Sequence, residues 1–191
     1  MEEKRFLIVG LGNPGKTYEN TRHNIGFRIV KALAAKWGIT LRPSLIRAKG
    51  GFGKKTIQDK EAHLLLPLTY MNESGLAVRK CLNYYKIPLD QLMVVTDDVA
   101  IPLGTLRLRI KGSCGGHKGL SSVEKHLGTT EYARLRVGVG DRSVGELADY
   151  VLGRFSLEEQ TQLPAIVDQA IHGIELWLEK GAETAMQEVN T

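Results

Sequence analysis

Short apolar runs alternate along this chain with longer segments whose apolar residues recur every three or four positions. The runs are strand-like and cover residues 6–11, 64–66, 92–95, 105–110 and 134–139. The longest helical segment follows Ser156 and carries a continuous apolar stripe from Leu163 to Leu178, which another layer of the protein must cover. The alternation predicts an α/β fold: a single domain over residues 1–191 with a mostly parallel, twisted central sheet flanked by helices.

The ends of several elements are also marked in the sequence. Apolar residues at helical spacing begin at Ile25, and Gly38 is a typical stop. Further helices are predicted at about 72–86 and 118–127, and Ser156 with Glu159 forms the pattern of a capping box. The glycine-containing region 40–62 favours a pair of strands over a helix.

The positive charge of the chain is unevenly distributed. The net charge is +5, but residues 1–142 hold 24 Lys and Arg against 12 Asp and Glu, whereas residues 143–191 hold 2 against 9. A basic body indicates a polyanionic partner, and an ordinary solvated surface is the alternative interpretation.

Two observations bear on the compartment. No apolar run approaches the length of a membrane span, and the apolar segment 6–9 is too short for the core of a signal peptide. The only cysteines, Cys81 and Cys114, lie far apart, so neither a disulfide framework nor a cysteine-rich metal site is indicated. We therefore expect a cytoplasmic protein without a membrane partner.

Residues 10–15 read Gly-Leu-Gly-Asn-Pro-Gly and match a dinucleotide-binding pattern. That pattern requires a helix to open at its third glycine and an acidic residue about twenty positions later. Here residues 16–23 are polar and aperiodic, and residues 28–40 contain no Asp or Glu. The chain is therefore not expected to be a nicotinamide-dependent oxidoreductase.

The same glycine-rich loop precedes a candidate catalytic group. His23 follows the first predicted strand, and Asp97 ends another, so both can reach the carboxyl edge of the sheet. A carboxylate on Nδ1 of a histidine fixes the tautomer and leaves Nε2 to act as a base. The alternatives are a structural histidine and an aspartate that forms a turn or caps a helix.

Other polar and aromatic residues near these positions are candidates for substrate contact. The amides of Asn13 and Asn72 can bind a peptide backbone, although a turn former and a helix N-cap are their simpler roles. Tyr18, Tyr70 and Met71 are candidates for a pocket wall or for core packing.

Taken in order, the motifs resemble those of the bacterial-type peptidyl-tRNA hydrolase family. They are residues 10–15 with Tyr18 and 21–24 (Thr-Arg-His-Asn), 69–75 (Thr-Tyr-Met-Asn-Glu-Ser-Gly), Asp97-Asp98, 112–119 (Gly-Ser-Cys-Gly-Gly-His-Lys-Gly), 134–140 and 150–153. They follow the family's order and spacing over nearly the whole chain.

The resemblance implies a function and a role for each candidate. His23 is expected to be the general base on a water molecule that attacks the ester of peptidyl-tRNA, releasing tRNA and peptide. Asp97 is expected to hold and polarise His23. Asn72 positions the substrate or the water and supports the oxyanion, and Asn13 reads the first peptide bond. A monomer that needs no metal or cofactor is expected.

The resemblance also implies a binding surface for the tRNA acceptor stem and 3′ end. Basic residues cluster on the polar strand faces and at the second glycine-rich loop, residues 112–119: Arg107, Arg109, Lys111, Lys118 and Arg134. The resemblance points to Arg109 and Arg134 as a clamp on phosphate at the acceptor-stem end. A solvated strand face is the alternative.

One residue departs from the family's pattern. The family usually has Gly-Gly-His-Asn-Gly, whereas residues 115–119 place Lys118 at the asparagine position. An ammonium cannot accept a hydrogen bond, so one polar contact is lost or remade. The competing hypothesis is a non-catalytic RNA-binding protein of the same fold, against which the presence of Asn13, His23, Asn72 and Asp97 together argues.

Overall fold

The computed structural model describes residues 4–44, 50–140 and 145–190. These residues contain thirteen strands and helices. The strands are β1 (Lys4–Gly10), β2 (Arg42–Ser44), β3 (Gly50–Ile57), β4 (Lys60–Pro67), β5 (Leu92–Asp98), β6 (Leu106–Arg109) and β7 (Ala133–Gly138). The helices are α1 (Ile25–Trp37), α2 (Ser74–Tyr85), α3 (Lys118–Leu127), α4 (Leu147–Leu152), α5 (Leu157–Lys180) and α6 (Ala182–Val189).

The seven strands form one sheet in the order β2-β3-β4-β1-β5-β7-β6. The central strands β4, β1, β5 and β7 run parallel, and β2–β3, β3–β4 and β6–β7 are antiparallel pairs. The predicted α/β domain is confirmed, but the prediction of a mostly parallel sheet is wrong. The sheet is mixed because β3 and β4 form a hairpin and a third strand extends it, while β6 closes the other edge.

Both faces of the central strands are covered by helices. Phe6 and Ile8 belong to a core shared with α1 and α5, and Leu7 and Val9 belong to a second core shared with α2 and α3. Trp177 of α5 packs edge-on against Phe6, with ring centroids 5.2 Å apart. The apolar stripe of α5 is therefore covered by the sheet, as its length requires. None of the helices within the described ranges is long and apolar enough to cross a membrane.

Most predicted helix ends agree with the structure. α1 stops at Gly38, which adopts a left-handed φ of 66°, and the side chains of Ser156 and Glu159 form the predicted capping box at the start of α5. Asn72 does not cap α2, since it lies within the preceding 3₁₀ turn Met71–Glu73 and α2 begins at Ser74. The predicted pair of strands over 40–62 is present as β2, β3 and β4, except that its residues 45–49 lie outside the described residues.

The order of the strands places a crevice at the carboxyl edge of the sheet. The chain pairs β1 with β4 on one side and with β5 on the other, and α1 and α2 pack on opposite faces. In α/β sheets, ligand sites form at the point where the chain leaves two neighbouring strands toward opposite faces of the sheet. α1 can approach β1 closely because Gly10 has no side chain. A Cβ on Gly10 would lie only 2.3 Å from the Gly26 carbonyl oxygen. This contact brings the residues before α1 to the mouth of the crevice.

Candidate active site

A cavity of about 550 Å³ opens at this edge of the sheet. Seven of the predicted site residues line it: Asn13, His23, Tyr70, Met71, Asn72, Asp97 and Lys118. They come from the loop after β1, the turn before α1, the segment between β4 and α2, the end of β5 and the start of α3. The fold therefore brings together groups that are up to 105 residues apart in the sequence.

His23 and Asp97 form a buried pair at the base of the cavity. His23 lies in the 3₁₀ turn Arg22–Asn24, and its Nδ1 is 2.9 and 3.0 Å from the two carboxylate oxygens of Asp97. An ionised carboxylate only accepts hydrogen bonds, so Nδ1 carries a proton, and in the neutral tautomer this leaves the lone pair on Nε2. Nε2 makes no hydrogen bond to any described residue. It is therefore available to take a proton from a water in the cavity.

The carboxylate of Asp97 is only 2% exposed. Burial alone would raise its pKa, but hydrogen bonds and favourable electrostatics from His117 and His23 hold the pKa of Asp97 well below its usual range. The carboxylate is therefore ionised at neutral pH. A fixed negative charge behind His23 stabilises the imidazolium that forms when His23 takes up a proton.

Asn13 is held in one orientation by two neighbours. Its backbone N–H donates to Asn24 Oδ1 and its carbonyl accepts from Asn24 Nδ2, both at 2.9 Å. Its own Oδ1 accepts the backbone N–H of Met71 at 2.8 Å. With Oδ1 fixed by this bond, the side-chain NH₂ of Asn13 is left to donate, so this residue can bind a carbonyl oxygen.

The remaining predicted cavity residues differ in exposure. Met71 is 4% exposed and packs in the core beneath the cavity, whereas Tyr70 is 62% exposed at its rim. Asn72 is exposed, which leaves its amide open to solvent or substrate. Lys118 is also exposed; it is the first residue of α3 and lines the rim of the cavity.

Three predicted contact residues lie outside the cavity lining: Tyr18, Arg109 and Arg134. Tyr18 is half-buried in the turn before α1, where its carbonyl accepts the Thr21 hydroxyl at 2.8 Å, and it does not wall the cavity as predicted. Arg109 is exposed on the edge strand β6, on the outward face that strand alternation predicts. Arg109 is therefore positioned to contact a partner outside the cavity.

The prediction that Arg134 faces solvent is wrong. Its side chain is fully buried, donates to Glu124 of α3 at 3.2 Å and to the carbonyl of Thr130 at 2.6 Å, and stacks over Tyr132. The alternation of apolar and basic residues along β7 predicts one face toward the core and one toward solvent. In this sheet α3 covers the second face, so Arg134 makes buried structural contacts and has no surface for a phosphate.

Several residues at the site were missed by sequence reasoning. Arg136, two residues after Arg134, lines the cavity and donates to Asp98 at 3.1 Å and to the carbonyl of Ser113 at 2.6 Å. His117 also lies here, 2.9 Å from Asp97 Oδ1. Its position in a second glycine-rich loop was a usable signal, because the argument that identified His23 beside the first such loop also applies to His117. The short helix α4 forms an apolar wall with Leu147, Val151 and Leu152, for which the sequence carries no periodic signal.

Among the described residues, one group of imidazole and carboxylate ligands is close enough to suggest a metal site. It consists of His23, Asp97 and His117, with ligand atoms within 4.8 Å of one another. The N–O separations of 2.9 and 3.0 Å are those of hydrogen bonds. The proton on each nitrogen occupies the place that a metal would need, so we interpret the group as a hydrogen-bonded network.

Comparison with known proteins identifies the family and agrees with this fold. A family model described as peptidyl-tRNA hydrolase matches residues 7–191. A peptidyl-tRNA hydrolase of Bacillus cytotoxicus is 45% identical over 185 residues, covering 96% of this chain and 98% of that protein. One of Gloeobacter violaceus is 48% identical and covers 96% and 93%. The crystal structure of the peptidyl-tRNA hydrolase of Acinetobacter baumannii superposes with a TM-score of 0.92 at 35% identity, covering 100% of this chain and 97% of that one. The chain therefore belongs to the peptidyl-tRNA hydrolase family.

Proposed function

We propose that this protein hydrolyses the ester bond of peptidyl-tRNA, releasing free tRNA and peptide, with water activated by His23 as the nucleophile. The observation that carries the proposal is the buried His23–Asp97 pair, which leaves Nε2 of His23 free at the cavity wall. Membership of the family supports the choice of substrate.

The reaction follows from the position of the protons. Nε2 of His23 removes a proton from water as the water oxygen attacks the ester carbonyl carbon. The tetrahedral intermediate then collapses, the bond to the ribose oxygen breaks, and that oxygen takes the proton from His23. Asp97 remains ionised throughout and stabilises the imidazolium. General base catalysis of this kind contributes about 10²–10⁴-fold to the rate.

The other side chains of the cavity bind and orient the substrate. The free NH₂ of Asn13 donates to the carbonyl of the first peptide bond, which a free aminoacyl-tRNA lacks. Asn72 donates to the developing oxyanion or holds the attacking water, and Tyr70 and the apolar wall of α4 contact the peptide. Lys118 at the rim and Arg109 on β6 contact the acceptor stem and 3′ end by charge.

The proposed reaction uses the side chains of this chain alone. An ester is already activated relative to an amide, so we expect no metal or cofactor to be required. We further propose that the protein acts as a cytoplasmic monomer, where tRNA is present.

The test is hydrolysis of an N-blocked aminoacyl-tRNA by the purified protein and its His23→Ala variant. We expect loss of turnover with unchanged tRNA binding, because His23 supplies the base and no cation; loss of its buried hydrogen bonds to Asp97 should lower thermal stability without unfolding the protein. His172→Ala, a change of an exposed histidine on α5, serves as the control with wild-type activity. If His23→Ala retains a tenth of wild-type turnover, His23 is not the base.

A second function is favoured by one residue. Lys118 occupies the asparagine position of the family and provides an additional cation at the cavity rim, as a non-catalytic RNA-binding protein would use. A wild-type protein that binds tRNA with no hydrolysis, and gains hydrolysis in Lys118→Asn, would support this alternative.

A further inference from the structure

His117 connects the start of α3 to the catalytic carboxylate. Its Nδ1 accepts the backbone N–H groups of Gly119 at 3.1 Å and Leu120 at 3.2 Å, so the imidazole serves as the N-cap of the helix. Its Nε2 lies 2.9 Å from Asp97 Oδ1 and 2.7 Å from the hydroxyl of Thr96. The side chain of His117 is 9% exposed, so water competes little for these contacts.

The contacts at Nδ1 fix the tautomer of His117. A backbone N–H can only donate, so Nδ1 must carry a lone pair and the ring proton must be on Nε2. That proton is shared between the carboxylate of Asp97 and the hydroxyl of Thr96. The cap of α3 therefore holds His117 as a donor toward Asp97, and proton transfer at Nδ1 would remove two hydrogen bonds from the start of the helix.

Asp97 thus accepts from two imidazoles at once. His23 donates to both carboxylate oxygens and His117 donates to Oδ1, and the two rings lie 4.8 Å apart. A carboxylate oxygen that already accepts one charge-assisted hydrogen bond has less negative charge to offer a second donor. The strength with which Asp97 favours the protonated form of His23 therefore depends on the bond from His117.

We propose that His117 is a positioning residue that moderates Asp97, so that His23 stays unprotonated and able to act as a base at lower pH than it otherwise would. The inference rests on the proposed role of His23 as the base. His117 itself touches no reacting atom in this proposal, and its effect passes through Asp97.

Other charged groups near the pair are paired or peripheral. On β5 and β7, Asp98 is bonded to Arg136. On the turn before α1, Arg22 extends away to Glu159 at 2.8 Å. Lys118 and Glu146 lie on the rim of the cavity, from α3 and the start of α4. Among the described residues, His117 is the donor other than His23 that contacts the Asp97 carboxylate.

The test is the pH dependence of kcat/KM in His117→Asn, measured with N-blocked aminoacyl-tRNA. Asparagine is a good N-cap, so its side-chain oxygen keeps the α3 bonds, but the side chain ends short of Asp97 and removes the Nε2–H donor. We expect the midpoint of the acidic limb to rise by about half to one pH unit. At high pH, kcat should fall by less than about tenfold and KM should stay within about twofold.

A second variant moves the profile in the opposite direction. Thr96→Val keeps the shape of the side chain but removes the hydroxyl that competes for the His117 proton, so the bond to Asp97 strengthens. The acidic limb should then move to lower pH. His126→Asn makes the same chemical change on α3 at a ring that bonds to the Ser122 carbonyl, and should leave the profile unchanged.

The outcomes separate this inference from the proposed function. If wild type hydrolyses the substrate and His117→Asn lowers the rate equally at every pH, with its acidic limb unmoved, His117 is only structural and the inference fails. The inference also fails if Thr96→Val shifts the limb upward. If the wild-type protein is inactive, or His23→Ala keeps its turnover and acidic limb, the proposed function itself fails.

Discussion

The protons of the site are distributed by hydrogen-bond partners that the fold imposes on single side chains. The carboxylate of Asp97 accepts hydrogen bonds from Nδ1–H of His23 and from Nε2–H of His117. The two imidazoles are therefore held as opposite tautomers around one carboxylate. Asn24 fixes Asn13 in the same way, since it occupies both backbone groups of that residue. Each functional group therefore has one chemical role before any substrate arrives.

Asp97→Asn tests the contribution of the carboxylate. The amide is nearly the same size and can still contact both rings, so the fold should remain intact. It carries no charge and can hold His23 in the wrong tautomer, so we expect turnover to fall by roughly 10²-fold, less than in His23→Ala. Single-turnover hydrolysis over a range of pH measures this. An unchanged rate and an unchanged pH–rate profile would remove Asp97 from the mechanism.

Lys118→Asn tests the residue that departs from the family's pattern. The ammonium at the cavity rim either binds a phosphate or extends into solvent, and it lies beside the reacting groups, not on them. We expect the asparagine variant to have a flatter salt dependence of KM and a kcat within about tenfold of wild type, or about 1.4 kcal/mol. KM and kcat at several salt concentrations provide the measurement. An equally steep salt dependence in the variant would show that Lys118 makes no contact with the RNA.

The residues of the site were predictable where their position follows from a strand end. Asn13 follows the first apolar strand, Asp97 lies near the end of another, and His23 belongs to the polar segment between the first strand and α1; the structure brings the three together. Arg134 and Arg136 could not be distinguished, because their alternation along β7 is the same whichever faces are covered. Which arginine is buried depends on α3, which contacts β7 only in the folded molecule.

At the scale of elements, the central strands and the long helices were predictable from their period. The antiparallel pairing at the edges of the sheet was not predictable. The apolar run of β4 is compatible with a parallel or an antiparallel neighbour, and β6 has only four residues. The helices α4 and α6 have six and eight residues, too few for a periodic signal. Yet α4 supplies the apolar wall of the cavity. Tertiary contacts hold it in place: Tyr150 donates to the Val139 carbonyl, and Arg22 stacks over the Tyr150 ring.

The hairpin of β3 and β4 contains a buried histidine that links stability to pH. His63 is 0% exposed; its Nε2 lies 2.6 Å from Glu61, and its Nδ1 has no hydrogen-bond partner among the described residues. Glu61 accepts, so a ring proton is on Nε2. Burial lowers the pKa of His63, because protonation would place a charged donor at Nδ1 without an acceptor.

We predict that mild acid destabilises the protein through His63. An unfolded histidine, with a pKa near 6.5, takes up a proton that the folded one resists. Stability is therefore full above about pH 6.5 and declines as the pH falls toward the lowered pKa, by up to about 1.4 kcal/mol per pH unit. The pKa of Glu61 is also lowered, although burial opposes this, because Lys54 and His63 hydrogen-bond to the carboxylate; its effect begins only below the unfolded range near pH 4.5.

His63→Gln is the variant that checks this slope. Glutamine keeps an N–H donor for Glu61 but does not titrate, so the free energy of unfolding in urea should depend less on pH between 6.5 and 5.5 than in wild type. His172→Gln, on the exposed face of α5, should keep the wild-type slope. Equal slopes in His63→Gln and wild type would show that this ring does not limit acid stability.

At the scale of the whole molecule, the charge asymmetry of the sequence maps onto different elements. The acidic segment supplies α5 and α6, and exposed cations lie on β6 and around the glycine-rich loop: Arg107, Arg109, Lys111 and Lys118. Of these four cations, Lys118 lines the cavity, whereas Arg109 on the edge strand β6 pairs with Arg134 toward the amino end of β7. A polyanion that enters the cavity therefore meets Lys118 at the rim, and the cations of β6 are available to the part of it that stays outside. This arrangement suits an enzyme that accepts many tRNAs, since phosphate contacts carry no sequence information.

These exposed cations should make tRNA binding depend on salt. Affinity for tRNA should fall linearly in a plot of log K against log salt, because binding releases counterions, and Arg109→Gln should reduce the slope by about one. The loss of affinity should be similar for different tRNAs, since a phosphate contact is independent of sequence. Fluorescence titration of two unrelated tRNAs at several salt concentrations measures both quantities.

Lys36→Gln provides the matched control for Arg109→Gln. Lys36 is also an exposed cation, but it is paired with Glu175 at the far end of α1, about 20 Å along the helix from the site. It should change neither the slope nor the affinity, whereas a surface that bound RNA only through net charge would respond equally to both variants. If Arg109→Gln weakened binding of one tRNA alone, Arg109 would contact a base or a structural feature of that tRNA, and the phosphate contact would be excluded.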